Sequence, residues 1–286
     1  MTINIKTFFD QDTATFTHIV NDTESTKAAI IDSVLNYDQY SGRTSTRSAD
    51  QVIEYVQETG LSVEWILETH IHADHITASH YLKEKLGGKI GIGSKIKDVL
   101  AFWIPVFNIS KDTNLDGSQF DELFEDLEII KLGDIDIKVL HTPGHTPACC
   151  SYLIEDAIFV GDTIFMPDVG TARTDFPGGS AAELYDSVKK ILSLPNETRI
   201  FMCHDYPSEE RNVLSVSTVV EQKEKNILIH DGISKDEYIQ TRNKRDKGKA
   251  VPKLLLPSIQ VNLRAGNFGD LEENNLRYIK IPIDKI

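Results

Sequence analysis

The sequence predicts a chain of mixed α and β structure, with a β-rich part up to about residue 206 and a more helical part after it. Short β-branched runs at residues 3–9, 14–20 and 27–32 alternate with turn-forming residues, which is typical of strands. Amphipathic runs of helical period lie among the strands, as at residues 180–192. Reactive side chains stand where apolar strands end, and open α/β folds place their ligand sites there.

The later elements follow from local composition. Residues 37–47 are polar and predict a loop, after which Ser48 can cap a helix that Gly60 ends. Ser234 and Glu237 match a capping box at the start of another helix. The predicted helices are residues 49–59, 76–86, 94–103, 180–192, 217–226 and 234–247. The predicted later strands are residues 62–68, 89–92, 127–131, 135–140, 149–155, 157–160 and 199–203.

The C-terminal part carries weaker signals. Residues 251–262 are apolar, but Pro252 and Pro257 predict irregular or edge structure there. Residues 278–281 predict a last short strand that Pro282 closes. Because no repeat or linker divides the chain, we expect one domain over residues 1–286. Its core spans about 1–206, and a helical cap with a C-terminal strand spans about 207–286.

The composition excludes several classes of protein. The chain has 286 residues and a formal net charge of −14, which argues against nucleic acid and against anionic membrane surfaces as partners. The N-terminal run is charged and alternating, so it predicts a strand and not a signal peptide, and no run is long enough to span a membrane. The three cysteines form no disulfide framework. A reducing, cytoplasmic setting is therefore expected.

A cluster of histidines and one aspartate organises the site prediction. His70, His72, Asp74 and His75 lie between a predicted strand and a predicted helix. Residues two apart on an extended segment point to the same side, so His70 and His72 can face one point. The chain then turns, which lets Asp74 and His75 swing towards a neighbouring point. Imidazole and carboxylate are the usual protein ligands of zinc, iron and manganese, so the cluster predicts a metal site.

Three further strand ends carry residues of the same chemistry. His145 follows a Pro-Gly turn, Asp162 follows Val160 and Gly161, and His204 follows residues 199–203. Each signal alone is weak, because an isolated His or Gly-Asp at a strand end is usually structural. Together they predict convergence, because the carboxyl ends of strands in one sheet meet at one edge.

These motifs resemble the metallo-β-lactamase superfamily, and the resemblance spans nearly the whole chain. The motifs are Thr-His-Ile-His-Ala-Asp-His at residues 69–75, His-Thr-Pro-Gly-His at 141–145, Gly161-Asp162, and His204. The resemblance implies an α+β fold, a four-layer αββα sandwich with the metal site at one edge of its two sheets. Residues 161–179, 203–206 and 257–266 are most similar to persulfide dioxygenases and related lactamase-hydrolase-like proteins, with Arg173-Thr174-Asp175-Phe176 as the most specific run.

Carried over from persulfide dioxygenases, the resemblance implies one Fe(II) per chain, held by His70, His145 and Asp162. Two histidines and one carboxylate on one face leave coordination positions open for a substrate and O₂. The implied reaction oxidises glutathione persulfide with O₂ to sulfite and glutathione. The remaining residues of the cluster would orient the ligands and tune the iron: these are His72, Asp74, His75 and His204.

The same resemblance implies candidates for the substrate pocket. Arg173 and Tyr206 match positions that contact glutathione in related thioester hydrolases, and Arg211, Lys244 and Arg245 are further candidates to bind its carboxylates. Cys203 is interpreted as a buried strand cysteine and not as a sulfur relay. A homodimer is left open.

A dinuclear hydrolase resembling glyoxalase II is the alternative, because all seven ligands of a two-metal site are present. One ion would bind His70, His72 and His145. A second would bind Asp74, His75 and His204, and Asp162 would bridge the two ions, which could be two zinc ions or a mixed iron–zinc pair. The run Val169-Gly-Thr-Ala-Arg173 departs from the Gly-Cys-Gly-Arg expected of glyoxalase II, which favours the dioxygenase.

Overall fold

Short β-branched and aromatic runs form the strands of the chain, and amphipathic runs form its helices. The structure, a computed structural model, describes residues 3–209 and 211–286. Within these ranges the strands are β1 (Ile3–Asp10), β2 (Thr15–Asp22), β3 (Lys27–Ile31), β4 (Asn36–Asp38), β5 (Arg43–Ser45), β6 (Ser62–Leu67), β7 (Lys89–Gly93), β8 (Glu122–Phe124), β9 (Ile129–Leu132), β10 (Ile135–His141), β11 (Cys150–Ile154), β12 (Ala157–Phe159), β13 (Arg199–Phe201) and β14 (Val216–Thr218). The helices are α1 (Arg47–Glu58), α2 (Ser79–Leu86), α3 (Ile96–Phe107), α4 (Ala181–Leu192), α5 (Val219–Lys225), α6 (Lys235–Asp246) and α7 (Leu255–Asn262).

The described strands assemble into two six-stranded sheets and the hairpin β4–β5. The first sheet has the order β1-β2-β3-β6-β7-β8, and its strands from β3 onwards pair in parallel. The second has the order β14-β13-β12-β11-β10-β9, in which β12 and β13 pair in parallel. Parallel neighbours end at the same edge of their sheet, so the residues after β3 and β6, and after β12 and β13, are brought close together.

Apolar side chains hold the two sheets face to face and attach helices to both outer faces. Ile31 and Leu67 of the first sheet pack with Ile137, Tyr152 and Phe159 of the second, and all five are buried. A second core joins the first sheet to α1, α2, α3 and α7. A third joins the second sheet to α4, α5 and α6. The predicted four-layer αββα sandwich is therefore confirmed, and the helices after residue 206 belong to both outer layers.

Several predicted helix starts differ from the observed ones by two or three residues, and side-chain contacts explain the differences at α1 and α2. Helix α1 begins at Arg47 after Thr46, and Ser48 donates its hydroxyl to Asp10 (2.8 Å) instead of capping the helix. Helix α2 begins at Ser79 and not at residue 76, because Thr77 is bound to side chains outside the helix. The segment predicted as a loop at residues 37–47 contains most of the short β4–β5 hairpin.

The C-terminal predictions also need correction. Residues 255–262 form helix α7 although Pro252 and Pro257 had argued against a helix. Pro257 is the third residue of α7, where a backbone N–H has no partner inside the helix, so proline is tolerated. The predicted C-terminal strand at residues 278–281 is absent from the described part of the chain. Its backbone pairs instead with the Gln260 side chain, which contacts both the N–H and the carbonyl of Lys280 (2.9 Å each).

Strands β8 and β14 were not predicted, since each has only three residues and carries little periodic signal. The helix predicted at residues 217–226 is wrong at its start, because residues 217–218 belong to β14 and α5 begins at Val219, with Thr218 as its cap. No helix among the described residues combines the length and the apolar character needed to cross a membrane.

Candidate metal centre

One group of ligand atoms lies where three strands end, after β6, β10 and β12. His70, His145 and Asp162 are all buried, and their ligand atoms lie within 4.8 Å of one another. The distance to Asp162 Oδ2 is 3.9 Å from His70 Nε2 and 3.7 Å from His145 Nε2. Ligands that bind one ion at about 2.0–2.2 Å stand roughly 3–3.5 Å apart, so a small movement would let all three grip the same ion.

Hydrogen bonds on the far side of each ring aim the histidines of this group. The Nδ1 of His70 lies 3.0 Å from the Thr69 hydroxyl, and the Nδ1 of His145 lies 2.8 Å from the carbonyl oxygen of Arg173. Each Nε2 is thereby left facing Asp162. A partner on one ring nitrogen fixes which nitrogen can bind a metal, and it also fixes the orientation of the ring.

A second group lies beside the first and contains His72, Asp74, His75 and His204. His204 Nε2 is 3.2 Å from Asp74 Oδ2, and His75 Nδ1 is 3.2 Å from Asp74 Oδ1. Asp162 connects the two groups, because its Oδ1 is 3.4 Å from His204 Nε2 while its Oδ2 faces the first group. In this arrangement His72 lies with Asp74, His75 and His204, whereas the two-metal alternative had placed it with His70 and His145.

The unsatisfied atoms of the cluster fit a metal ion. Among the described residues, four of the few buried side-chain atoms without a hydrogen-bond partner belong to it: His72 Nδ1, His75 Nε2, Asp162 Oδ1 and His204 Nε2. A buried polar atom left without a partner costs about 1–3 kcal/mol, so four in one place are unfavourable in the metal-free protein. Imidazole nitrogen and carboxylate oxygen are the donors that zinc and iron bind, and the cluster therefore supports a metal.

The electrostatics of the cluster favour the metal-binding protonation state at His70 and at Asp74, but they favour a protonated ring at His72. Burial lowers the pKa of His70 well below its ordinary value, and the neighbouring rings of His72 and His145 lower it further. Burial also opposes a charge on His72, but Asp32 and Glu68 raise the pKa of its ring well above the ordinary value. Although its burial acts to raise it, the pKa of Asp74 is lowered by His204 and His75. A neutral His70 and an ionised Asp74 are the forms that bind metals.

Two buried carboxylates contact His72 at the ring nitrogen that points away from the second group. His72 Nε2 lies 3.1 Å from Asp32 Oδ1 and 3.1 Å from Glu68 Oε2, which leaves Nδ1 to face the second group. Asp32 also accepts the backbone N–H of Thr69 at 2.8 Å, and Glu68 accepts the hydroxyls of Thr77 and Ser79. Neither Asp32 nor Glu68 was predicted to belong to the site. A carboxylate at the end of a buried apolar strand was the available signal.

Asn262, the last residue of α7, is a further residue that sequence reasoning missed. Its amide nitrogen donates to the carbonyl oxygens of His72 and His75 at 2.8 Å each. Its carbonyl accepts the backbone N–H of Thr77 at 2.9 Å. One buried side chain thus holds the backbone of the loop between β6 and α2 at three points. The signal was a polar residue in an apolar run, but it lies nearly 190 positions from the loop.

Gly161 allows β12 to end directly against the first group. Its φ is +53°, and a Cβ there would overlap the Thr69 hydroxyl and lie 3.4 Å from His70 Nδ1. We expect Gly161→Ala to lower the free energy of unfolding by about 2–4 kcal/mol, from a left-handed conformation plus overpacking, and to weaken metal binding. Urea denaturation and metal titration would measure both effects.

Gly60→Ala is the matched control for that variant. Gly60 has a φ of +66°, but a Cβ there would meet open space. It should therefore cost only the backbone strain, about 1–2 kcal/mol, and leave metal affinity unchanged. Equal losses of stability and of metal affinity in the two variants would show that the contact with Thr69 is unimportant.

A pocket of about 280 Å³ opens onto the cluster. Asp74, His145 and Asp162 lie at its metal side, and Arg245 and Lys249 provide cationic groups. Burial lowers the pKa of Lys249, and the nearby guanidinium of Arg242 adds to this effect. Sequence reasoning did not select Lys249. The apolar lining of the pocket includes Phe165, Val169, Phe176 and Pro252.

The pocket includes three of the residues predicted to bind substrate. Arg173, Tyr206 and Arg245 line it. The Arg173 guanidinium is already engaged by Asp175 at 2.6 and 2.7 Å and by the carbonyl of Ala250 at 2.8 Å. The Tyr206 ring stacks on His204, with ring centroids 5.9 Å apart.

Lys244 and Arg211 are not among the described residues that line this pocket. Lys244 is exposed on α6, and Arg211 makes paired hydrogen bonds to Asp168 and Asp205 at 2.6–2.8 Å. Their predicted role in binding substrate stays a prediction. Arg242, also on α6, is buried and bound to Asp246.

Cys203 lies beside the cluster, and its Sγ is within 4.8 Å of ligand atoms of Asp162 and His204. The thiol is buried, and burial raises its pKa well above the ordinary value. The thiolate is the reactive form of cysteine, so a raised pKa disfavours a sulfur-relay role.

The chain is similar in sequence to known proteins of one family. Residues 14–204 match the family described as the metallo-beta-lactamase superfamily. The chain is 50% identical over 282 residues to "Glyoxylase B2" of Dictyostelium discoideum, covering 98% of this chain and 97% of that protein. It is 31% identical to the human "Persulfide dioxygenase ETHE1, mitochondrial" over 267 residues, covering 92% of this chain and 89% of that protein.

A solved structure is also similar. The crystal structure of ETHE1 from Myxococcus xanthus superimposes with a TM-score of 0.74 at 28% sequence identity, covering 92% of this chain and 100% of that one. The family match covers about two thirds of the chain, and it includes every residue of the two ligand groups. The fold, the ligand groups and these similarities lead to one conclusion: the chain belongs to the metallo-beta-lactamase superfamily.

Proposed function

We propose that this protein is an Fe(II)-dependent persulfide dioxygenase that converts glutathione persulfide, O₂ and water into glutathione and sulfite. The observation that carries the proposal is the group of His70, His145 and Asp162 at the metal side of a pocket with cationic residues. Two histidines and one carboxylate on one face are typical of iron sites that activate O₂. The similarity to proteins named persulfide dioxygenase supports the same activity.

The residues of the pocket would divide the work of binding and positioning. Arg245 and Lys249 would bind the carboxylates of glutathione. Binding at these two residues would direct the persulfide sulfur towards the metal side of the pocket, at Asp162. Phe165 and Phe176 would exclude water from the reacting sulfur. When bound, Fe(II) would supply the redox chemistry that lets O₂ oxidise that sulfur, which zinc lacks. His204 and Asp74 would hold a water molecule by hydrogen bonds on the far side of Asp162.

A dinuclear hydrolase of glutathione thioesters is the second candidate. It is favoured by the free ring nitrogens of the second group and by the two-sided position of Asp162. Such a site would lower the pKa of a bound water, which would attack the thioester carbonyl. The relative named "Glyoxylase B2" is consistent with this alternative.

Metal content and oxygen uptake separate the two candidates. Protein loaded anaerobically with Fe(II) would be analysed for bound iron and then given glutathione persulfide in an oxygen electrode. We expect one iron per chain, O₂ consumption that depends on the persulfide, and sulfite as a product. Two tightly held metals, together with thioester cleavage that proceeds without O₂, would instead establish the hydrolase.

Substrate binding can be tested at the rim of the pocket. We expect Arg245→Ala to raise the KM for glutathione persulfide about 3- to 10-fold with little change in kcat, because it removes a partly exposed charge pair worth roughly 1 kcal/mol. Lys247→Ala is the matched control, since Lys247 is an exposed cation two residues away and does not line the pocket. An equal rise in KM for both variants would mean that only overall charge matters.

A further inference from the structure

A second, smaller cavity lies behind residues 68–78, the segment between β6 and α2 that is called the metal loop below. It is on the side of His145 that faces α3 and α7. Its volume is about 20 Å³, enough for one molecule of about the size of water. Ile71 and Ala73 of the metal loop, Val99 and Trp103 of α3, and Ile259 of α7 provide its walls. All five side chains are buried, and apart from the indole N–H of Trp103 they are apolar.

The polar residues of this cavity are occupied elsewhere. The Nδ1 of His145 contacts the carbonyl of Arg173 at 2.8 Å, and its Nε2 faces Asp162. The Oγ1 and backbone N–H of Thr146 both contact Cys149 Sγ, at 3.2 and 3.4 Å. A buried water needs two to four polar partners, so water gains little in this cavity. Dry apolar cavities of this kind bind small apolar molecules such as xenon.

The cavity also adjoins the substrate pocket. Ala73, His145 and Phe176 line both spaces. The Phe176 ring meets the His145 ring edge to face, with centroids 5.1 Å apart, so one aromatic wall separates the two. A molecule held in the cavity would lie one imidazole ring away from the predicted iron position and would not compete with the anionic substrate for Arg245 and Lys249.

We propose that this cavity is a binding site for a small apolar gas, O₂ in the reaction proposed above, and that it supplies the metal centre from behind the His145 ring, outside the substrate pocket. The identity of the gas rests on the proposed dioxygenase function. The site itself rests on the apolar lining of the cavity and on its contact with His145.

Xenon is the direct probe. Crystals of the metal-loaded protein pressurised with xenon should show an anomalous peak between Val99 and His145. Val99→Leu adds one methylene to the wall and should remove that peak. Absence of xenon from the cavity in the unaltered protein would overturn the proposal.

Oxygen kinetics provide the second readout. Val99→Leu should raise the KM for O₂ about four-fold, because O₂ would lose apolar contact comparable to that of one buried methylene group. The KM for glutathione persulfide should stay unchanged. Val52→Leu is the control, because Val52 is a buried helix valine of the same outer layer that does not line the cavity. An unchanged KM for O₂ in a variant that excludes xenon would reject the cavity as a source of O₂. A protein that binds xenon there but consumes no O₂ would reject the proposed function instead.

Discussion

Asp162→Ala should yield a folded protein that retains no metal ion and no oxygenase activity. Asp162 offers one oxygen to each ligand group, and its removal leaves His70 and His145 as the only members of the first group. Loss of a direct ligand should exceed the roughly 10–100-fold cost typical of an outer partner. Metal analysis of the purified variant and an oxygen electrode would measure the result, with circular dichroism to verify the fold.

Asp74→Ala is the informative control for Asp162→Ala. Asp74 is the carboxylate of the second group, so one iron at His70, His145 and Asp162 predicts that this variant keeps one ion per chain. Its activity should fall by about 10–100-fold, since Asp74 would act as an outer partner through His75 and His204. If Asp74→Ala loses metal and activity as completely as Asp162→Ala, the two groups work as one dinuclear site and the single-iron proposal is wrong.

The ligands were predictable because their sequence positions are tied to strand ends. His145, Asp162 and His204 follow β10, β12 and β13, and strands in one sheet bring such positions to a shared edge. Short apolar runs were enough to locate most of these strands to within a few residues. His70 follows β6 of the other sheet, so its place in the site depends also on the packing of the two sheets face to face, which local pattern does not give.

The supports of the ligands were harder to predict because they depend on long-range packing. Glu68 is the residue after β6 and carries no motif of its own, yet it holds His72, Thr77 and Ser79. Lys249 lies in a loop after α6, and its position in the pocket depends on how α6 packs against α4. Neither the contacts of Glu68 nor the position of Lys249 produces a periodic pattern in the sequence.

Helix α7 shows how a local rule can mislead. Pro252 and Pro257 argued for irregular structure, but a proline in the first turn of a helix costs little. The error concealed Asn262, whose buried side chain stands at the end of that helix and reaches the metal loop. The position of a proline relative to a helix start, and not its presence alone, was the decisive information.

Asn262→Asp should therefore damage the metal centre from a distance. The aspartate keeps the oxygen that accepts from Thr77 but removes the two donors to the carbonyls of His72 and His75. Two buried carbonyls would then lack partners and face a carboxylate. We expect a loss of about 2–4 kcal/mol in the free energy of unfolding, and iron binding weaker by about 10–100-fold. Urea denaturation and competition with a metal chelator would measure these two quantities.

Asn226→Asp separates the role at the metal from a general cost of burying a carboxylate. The Asn226 amide is also buried, donates to Gly170 and Gln222, and accepts from Leu228 and Ile229, but it touches no ligand segment. Both variants should lose similar stability, because each removes two buried donors and retains its acceptor. Only Asn262→Asp should lose iron affinity, since only Asn262 fixes the backbone that carries His72 and His75. Equal iron affinity in the two variants, at matched stability, would mean that the metal loop keeps its geometry without this amide.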